Sequence, residues 1–267
     1  MGVPAAINQD PLAFLIFSTA LGAVIGSFLN VVIYRLPRGE SLAYPASHCP
    51  QCGHGLCAWD NIPLLSWLAL AGRCRHCSAK ISVRYPVVEL LTAAVFALSA
   101  LEFGPTIGAL SACVLSAALI AVTFIDLDHL LILDRMTVGL AVAGIVLAAA
   151  SGRLVGGIQG AALGAALFGG IYLLTRGKGM GLGDVKLAMA AGLFLGLAAS
   201  IAAFLSAFVI GSLLAVPVLA AGSRGRRDAL PFGPFLVLAI LLVLFAPASI
   251  FGPFESYRNF IGGLTSR

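Results

Sequence analysis

Two aspartates sit where hydrocarbon meets polar sequence. Asp126 closes a long apolar run in Phe124-Ile125-Asp126-Leu127-Asp128-His129. Asp184 opens another in Gly179-Met180-Gly181-Leu182-Gly183-Asp184-Val185-Lys186. A carboxylate beside a bilayer is costly to keep, so each points to function. Brought close, two carboxylates cannot both ionise cheaply; they share a proton and titrate as a unit. That state suits peptide hydrolysis, the ionised partner taking a proton from water while the protonated one polarises the carbonyl. Gly181 and Gly183 remove side chains next to Asp184, which would let an extended substrate backbone approach. The plainer alternatives are a helix-end charge for Asp126 and a helix cap for Asp184. Asp128 and Asp134 read as solvated cap residues. Glu89, just inside an apolar run, reads equally as a partner of Arg84, a snorkelling side chain or a chemical group.

Four of the six cysteines form two C-x-x-C pairs, Cys49/Cys52 and Cys74/Cys77, with 21 residues between them. Two such knuckles converge four thiolates on one tetrahedral zinc ion. A redox role is the weaker reading, because a reducing cytosol leaves little use for stable disulfides. His48, His54 and His76 flank the cysteines and are expected to lie outside the ligand set, while Cys57 and Cys113 read as spare thiols. Between the knuckles, residues 59–70 are too short to span a bilayer but too apolar for water. Trp59 and Trp67 suit a membrane interface, with Asn61 as a possible cap for a short helix; packing beneath the knuckles is the alternative.

The elements that must carry these groups are membrane helices. Of 267 residues, 60% are hydrophobic and 10% charged, with mean hydropathy +1.03. An ordinary soluble domain is about 25% charged, so a soluble globule and a disordered chain are both excluded. We expect an all-α polytopic membrane protein with about eight spans, near 12–34, 87–103, 107–125, 136–151, 154–175, 186–199, 200–221 and 231–251. The first reads as a retained span, not a cleaved signal peptide, because its apolar run is long and no Lys or Arg precedes it. With the N-terminus outside, 13 of the 16 Lys and Arg fall inside and only Arg153, Arg258 and Arg267 fall outside. That positive-inside split makes the 35–86 loop cytosolic and explains the basic balance without nucleic acid; anionic lipid suits the basic loop better. The expected organisation is a first transmembrane helix (1–34), a cytosolic zinc-knuckle loop (35–86), a catalytic helical bundle (87–251) and a periplasmic tail (252–267). Gly22 and Gly26, and the Gly/Ala-rich 139–170 segment, read as helix-packing surfaces.

The chain resembles the bacterial type IV prepilin peptidases, or leader peptidase/N-methyltransferases. The resemblance rests on GSFLNVVIYRLP (26–37), SHCPQCGH (47–54), WDNIPLLSWLALAGRCRHC (59–77), ISVRYPVVEL (81–90), FIDLDHLLILD (124–134) and GMGLGDVKL (179–187), in the family's order. It implies an inner-membrane aspartyl endopeptidase that removes the leader of type IV prepilins or type II secretion pseudopilins. It also implies N-methylation of the new N-terminus with S-adenosylmethionine as donor. By motif match the catalytic pair is Asp126 and Asp184, and the zinc ligands are Cys49, Cys52, Cys74 and Cys77. No methyl-donor fingerprint is present; the cytosolic loop is the expected place, with Gly72 the candidate for a close backbone approach. Leu133 stands where the family usually has proline. The substrate's apolar helix would lie in the bilayer and its basic leader in the cytosol, near the aspartates. Three other classes compete. A zinc-bearing membrane scaffold leaves the aspartates unused, and a membrane thiol–disulfide oxidoreductase predicts disulfides instead of zinc. A G-x-G-D protease cutting within a transmembrane helix would not need the cysteine loop.

Overall fold

A computed structural model describes residues 10–220 and 232–245, with side chains described as far as 214 in the first segment. Eight helices are described: α1 (Pro11–Arg35), α2 (Leu65–Ala69), α3 (Arg84–Phe103), α4 (Ile107–His129), α5 (Asp134–Ala150), α6 (Leu154–Thr175), α7 (Leu182–Ala220) and α8 (Gly233–Phe245). No β-strand occurs among the described residues, only two isolated bridges, His48 with Gly55 and Arg73 with Lys80. Asp10 caps α1 by accepting the Leu12 N–H, with Pro11 at the first helical position, and Thr106 caps α4 through the Ala109 N–H.

Five helical segments are long and apolar enough to cross a membrane: Pro11–Arg38, Arg84–Phe103, Ile107–His129, Leu154–Thr175 and Leu182–Leu214. The helix α5, of 17 residues, and the 13 residues of α8 are shorter. The spans expected at 186–199 and 200–221 lie within α7, whose helical geometry breaks at Gly196 (φ 73°, ψ 177°). Unbroken, 39 residues would extend ~58 Å, nearly twice the hydrocarbon thickness, so the break belongs where a single straight span cannot fit. The segment carrying Arg224, Arg226 and Arg227, the end of the eighth expected span and the 252–267 tail lie outside the described residues.

Large apolar side chains face outward along the spans, among them Ile16, Phe17, Val24 and Phe28 on α1 and Val138, Val142 and Val146 on α5. Such a surface demands lipid, and the chain is a multi-pass membrane protein. Inside, α4 is shared between two cores. One joins it to α1 and α3 through Ile33, Val88 and Ile125. The other joins it to α5–α8, where Phe168 meets Phe204 edge-on with ring centroids 5.0 Å apart. The packing reading of the small residues holds at Gly26, where a Cβ would stand 2.7 Å from the Glu89 Cα of α3. Asn30 crosses the same seam, donating to the Tyr85 carbonyl at 3.2 Å. These contacts put the end of α1 beside the start of α3. Arg84 to Asp128, and Lys186 to Asp134, then bring the end of α4 and the starts of α5 and α7 to that same end of the bundle.

Candidate active site and zinc centre

The last turn of α4 holds Asp126, buried at 5% exposure. Leu130, in the left-handed conformation (φ 51°), ends that helix by donating its N–H to the Asp126 carbonyl at 2.8 Å. Four residues later α5 begins. Leu133 precedes it at φ −75°, close to the angle proline would impose, so the departure at this position leaves the turn as proline would set it. Asp184 lies in the first turn of α7, buried at 9% exposure. Its Oδ2 accepts the Gly181 N–H at 3.2 Å, the return half of a capping box.

Both carboxylates stand at the end of the bundle where α4, α5 and α7 meet. Ile132 of the α4–α5 turn packs between their supports. A Cβ on Gly183 would stand 2.7 Å from the Ile132 Cβ, and one on Gly233 would stand 3.6 Å from the Ile132 Cδ1. The space beside Gly183 is therefore filled by this chain's own turn, while Gly181 is exposed. Sequence reasoning missed Gly233. This first residue of α8 presses on the acid pair: a Cβ there would stand 2.5 Å from the Asp126 Oδ2. That oxygen is buried and makes no hydrogen bond of ordinary geometry among the described residues, although the Gly233 backbone N–H approaches the carboxyl group. The available signal was Pro231-Phe232-Gly233-Pro234, a turn sequence opening an apolar helix.

Asp128 and Asp134 stay outside this centre. Both are exposed, Asp128 paired with Arg84 at 2.5 Å and Asp134 with Lys186 at 2.6 Å. Lys186, two residues from Asp184, thus serves α5. Arg84 also donates to the Phe124 carbonyl at 3.1 Å, so of the three readings of Glu89 the pairing with Arg84 is not formed.

The four cysteines converge as their spacing predicted, all four Sγ atoms lying within 4.8 Å of one another. The Cys49 and Cys77 sulfurs are 3.8 Å apart, close to the ~3.8 Å edge of a tetrahedron with Zn–S bonds of ~2.3 Å. The two knuckles repeat one backbone design. Cys49 N–H donates to His54 and Gly53 N–H to Cys49; likewise Cys74 N–H donates to Ala79 and Ser78 N–H to Cys74. Gly53 and Ser78 occupy matching left-handed positions, at φ 69° and 58°. Backbone N–H groups of Cys52 and Gln51 pull the Cys49 thiol down to about 6, while at Cys77 the Ala79 N–H is outweighed by desolvation and the neighbouring cysteine sulfurs, which push that thiol up to about 11, so the four thiols titrate as a group. The flanking His54 and His76 rings lie against each other, centroids 3.5 Å apart and tilted by 35°, and are not in the ligand cluster. Cys57 is exposed and Cys113 half-buried, neither joining the cluster.

The apolar segment between the knuckles divides its side chains. Trp59, Leu65 and Leu68 project outward at 75%, 65% and 65% exposure, as a membrane-interface segment would. Trp67 turns inward and donates to the Ile81 carbonyl at 3.3 Å. Asn61 does not cap α2, because it ends a separate 3-10 turn; the capping position is Leu64, whose N–H goes to Glu89. Gly72 (φ +66°) is packed on the indole of Trp67, its missing Cβ standing 2.9 Å from the ring.

These features define a multi-pass helical membrane protein with two buried aspartates at one end of the bundle and a four-cysteine cluster in its loop. Residues 20–103 match the bacterial peptidase A24 N-terminal domain, and residues 113–216 match the type IV leader peptidase family. Similar proteins include the prepilin leader peptidase/N-methyltransferase of Aeromonas hydrophila, 37% identical over 85% of this chain and 90% of that protein. The type 4 prepilin-like proteins leader peptide-processing enzyme of Escherichia coli O78:H11 is 41% identical, over 90% of this chain and 97% of its own. The prepilin leader peptidase/N-methyltransferase of Pseudomonas aeruginosa is 34% identical, over 87% and 90%. No solved structure matches the chain. The chain belongs to the type IV leader peptidase family.

Proposed function

We propose that this chain is a prepilin leader peptidase of the bacterial inner membrane, with Asp126 and Asp184 as its catalytic pair. The observation that supports the reading is a pair of buried carboxylates at one end of the bundle, on elements that both pack against Ile132. One carboxylate, ionised, takes a proton from water; the other, protonated, polarises the scissile carbonyl and later returns a proton to the leaving amine. The substrate backbone passes on the exposed side of Gly181, since Ile132 fills the space beside Gly183.

The charge distribution supports a cytosolic setting for this end, where a basic prepilin or pseudopilin leader would meet it while the following apolar helix stays in lipid. The division is a first transmembrane helix to residue 34, a zinc-bearing loop over 35–86, a catalytic bundle over 87–251 and a periplasmic tail over 252–267. Cys49, Cys52, Cys74 and Cys77 hold a structural zinc that ties the loop together, and Trp59, Leu65 and Leu68 rest it on the inner leaflet. The relatives' N-methyltransferase names support a second step, methylation of the new N-terminus using S-adenosylmethionine. Gly72 contributes to that step by seating Trp67, not by touching the donor. The test is co-expression with a type IV prepilin and mass spectrometry of the product. The reading predicts a shortened chain carrying one N-methyl group. Recovery of the uncut precursor would reject it.

A further inference from the structure

A cavity of about 780 Å³ lies between α1, the cysteine loop and the start of α3. Its membrane end is lined by Ser27 and Phe28 of α1 and by Tyr85 and Glu89 of α3; its outer end reaches Trp67 and Lys80 of the loop. The volume is that of a small-molecule site, and the lining mixes apolar side chains with polar and charged ones, Arg35, Asp60, Arg75 and Lys80 among them. Glu89 is the exceptional member. It is buried at 7% exposure on a membrane-spanning helix. The ion pairs of the described residues join Arg75 to Asp60, Arg84 to Asp128 and Lys186 to Asp134, leaving Glu89 without a cation. Its Oε2 accepts one hydrogen bond, from the Leu64 N–H at 2.8 Å, and the Ser27 hydroxyl lies close by. That bond holds Leu64 at φ +62°, an unusual conformation for a leucine, and fixes the carboxylate at the cavity wall. A buried carboxylate facing a cavity without a cation of its own is a site for a ligand's cation.

We propose that Glu89 receives the α-ammonium of the freshly cut substrate and acts as the base for its N-methylation, in a second site separate from the Asp126–Asp184 pair. This rests on the peptidase/N-methyltransferase reading above. An N-terminal ammonium followed by an apolar helix can enter at the lipid end, its charge meeting Glu89 and its helix remaining beside Phe28. The outer end suits a sulfonium methyl donor: Trp67 offers an aromatic face, and Lys80 a partner for the donor's carboxylate. Glu89 takes one proton from the ammonium, freeing the nitrogen lone pair. That pair forms the N–CH₃ bond as the CH₃–S bond breaks with its electrons passing to sulfur. A secondary ammonium and a neutral thioether remain, and Glu89 later gives its proton to water.

Glu89→Gln keeps the shape and an oxygen for the Leu64 N–H but cannot take the proton. In membranes supplied with prepilin and S-adenosylmethionine, the variant should cleave at the wild-type rate and methylate at least ~10²-fold more slowly. An activity-free readout uses a peptide of the mature substrate's apolar N-terminus. The wild-type protein should bind the free-amine form roughly tenfold more tightly than the N-acetylated form, and Glu89→Gln should bind both alike. Methylation by the variant at the wild-type rate would overturn the proposal, and so would an unchanged preference for the free amine. Joint loss of cleavage, methylation and zinc would also overturn it, by reducing Glu89 to a clamp on Leu64. A wild-type protein that cleaves without methylating would instead refute the underlying reading, and the peptide comparison would still decide whether Glu89 binds an amine.

Discussion

Gly233→Ala adds one methyl group at the point where α8 touches the acid pair. Its Cβ would stand 2.5 Å from the Asp126 Oδ2 and 3.2 Å from the Asp126 Cγ. Ordinary contact begins near 3.4 Å, so helix or carboxylate must move by 3.4 − 2.5, about 0.9 Å. Neither yields freely. Asp126 is fixed in a helix turn closed by Leu130, and Gly233 is followed by Pro234 and the buried Leu236. Overpacking of this kind costs ~1–3 kcal/mol. Displacement of a catalytic group by ~1 Å can cost 10²-fold in rate, and that is the loss expected in leader cleavage. The control is Gly211→Ala on α7. Its Cβ would meet the Phe235 and Phe232 rings at 3.5 and 3.6 Å, which is ordinary contact, and it should cleave within a few-fold of wild type. Cleavage rates in membranes containing matched amounts of each protein make the comparison. Wild-type cleavage by Gly233→Ala, or equal impairment of both variants, would refute the argument that this contact sets the carboxylate.

Two further outcomes follow from the loop. Cys49→Ser or Cys74→Ser should release the zinc, because three thiolates hold it far less tightly than four; metal analysis of purified protein checks this, and a full zinc complement in the double variant would reject the four-cysteine site. Gly72→Ala puts a Cβ 2.9 Å from the Trp67 ring at φ +66°, and should reduce N-methylation while sparing cleavage; equal loss of the two activities in a product mass spectrum would contradict a role through Trp67.

The sequence carried the membrane architecture and the clustering chemistry because both are local signals. Apolar runs reveal helices, and C-x-x-C spacing reveals a metal geometry. The four sulfurs consequently converge without correction. The sequence divides this stretch into two spans at 199/200, whereas the helical geometry breaks at Gly196, since a run rich in small apolar residues gives periodicity nothing to mark. Contacts between distant elements were illegible. Arg84 lies five residues from Glu89 in sequence, yet bonds Asp128 across the helix interface. Gly183 looked like open space beside Asp184, but Ile132 comes from another turn to fill it. Gly233 carries no charge and no metal-binding atom, so only the approach of α8 to α4 reveals what it touches.

The account turns on the division between the buried pair and the exposed pair of aspartates. Asp126→Asn, Asp184→Asn, Asp128→Asn and Asp134→Asn, each assayed for prepilin cleavage in membranes at matched protein levels, test it directly. An amide can neither take a proton from water nor give one to the carbonyl, so the first two should each lose at least ~10³-fold. The last two lose ion pairs with the half-buried Arg84 and with Lys186, and should stay within about tenfold of wild type. Near-wild-type cleavage by both Asp126→Asn and Asp184→Asn would contradict the aspartyl mechanism, and a dead Asp128→Asn beside an active Asp126→Asn would contradict the choice of catalytic pair.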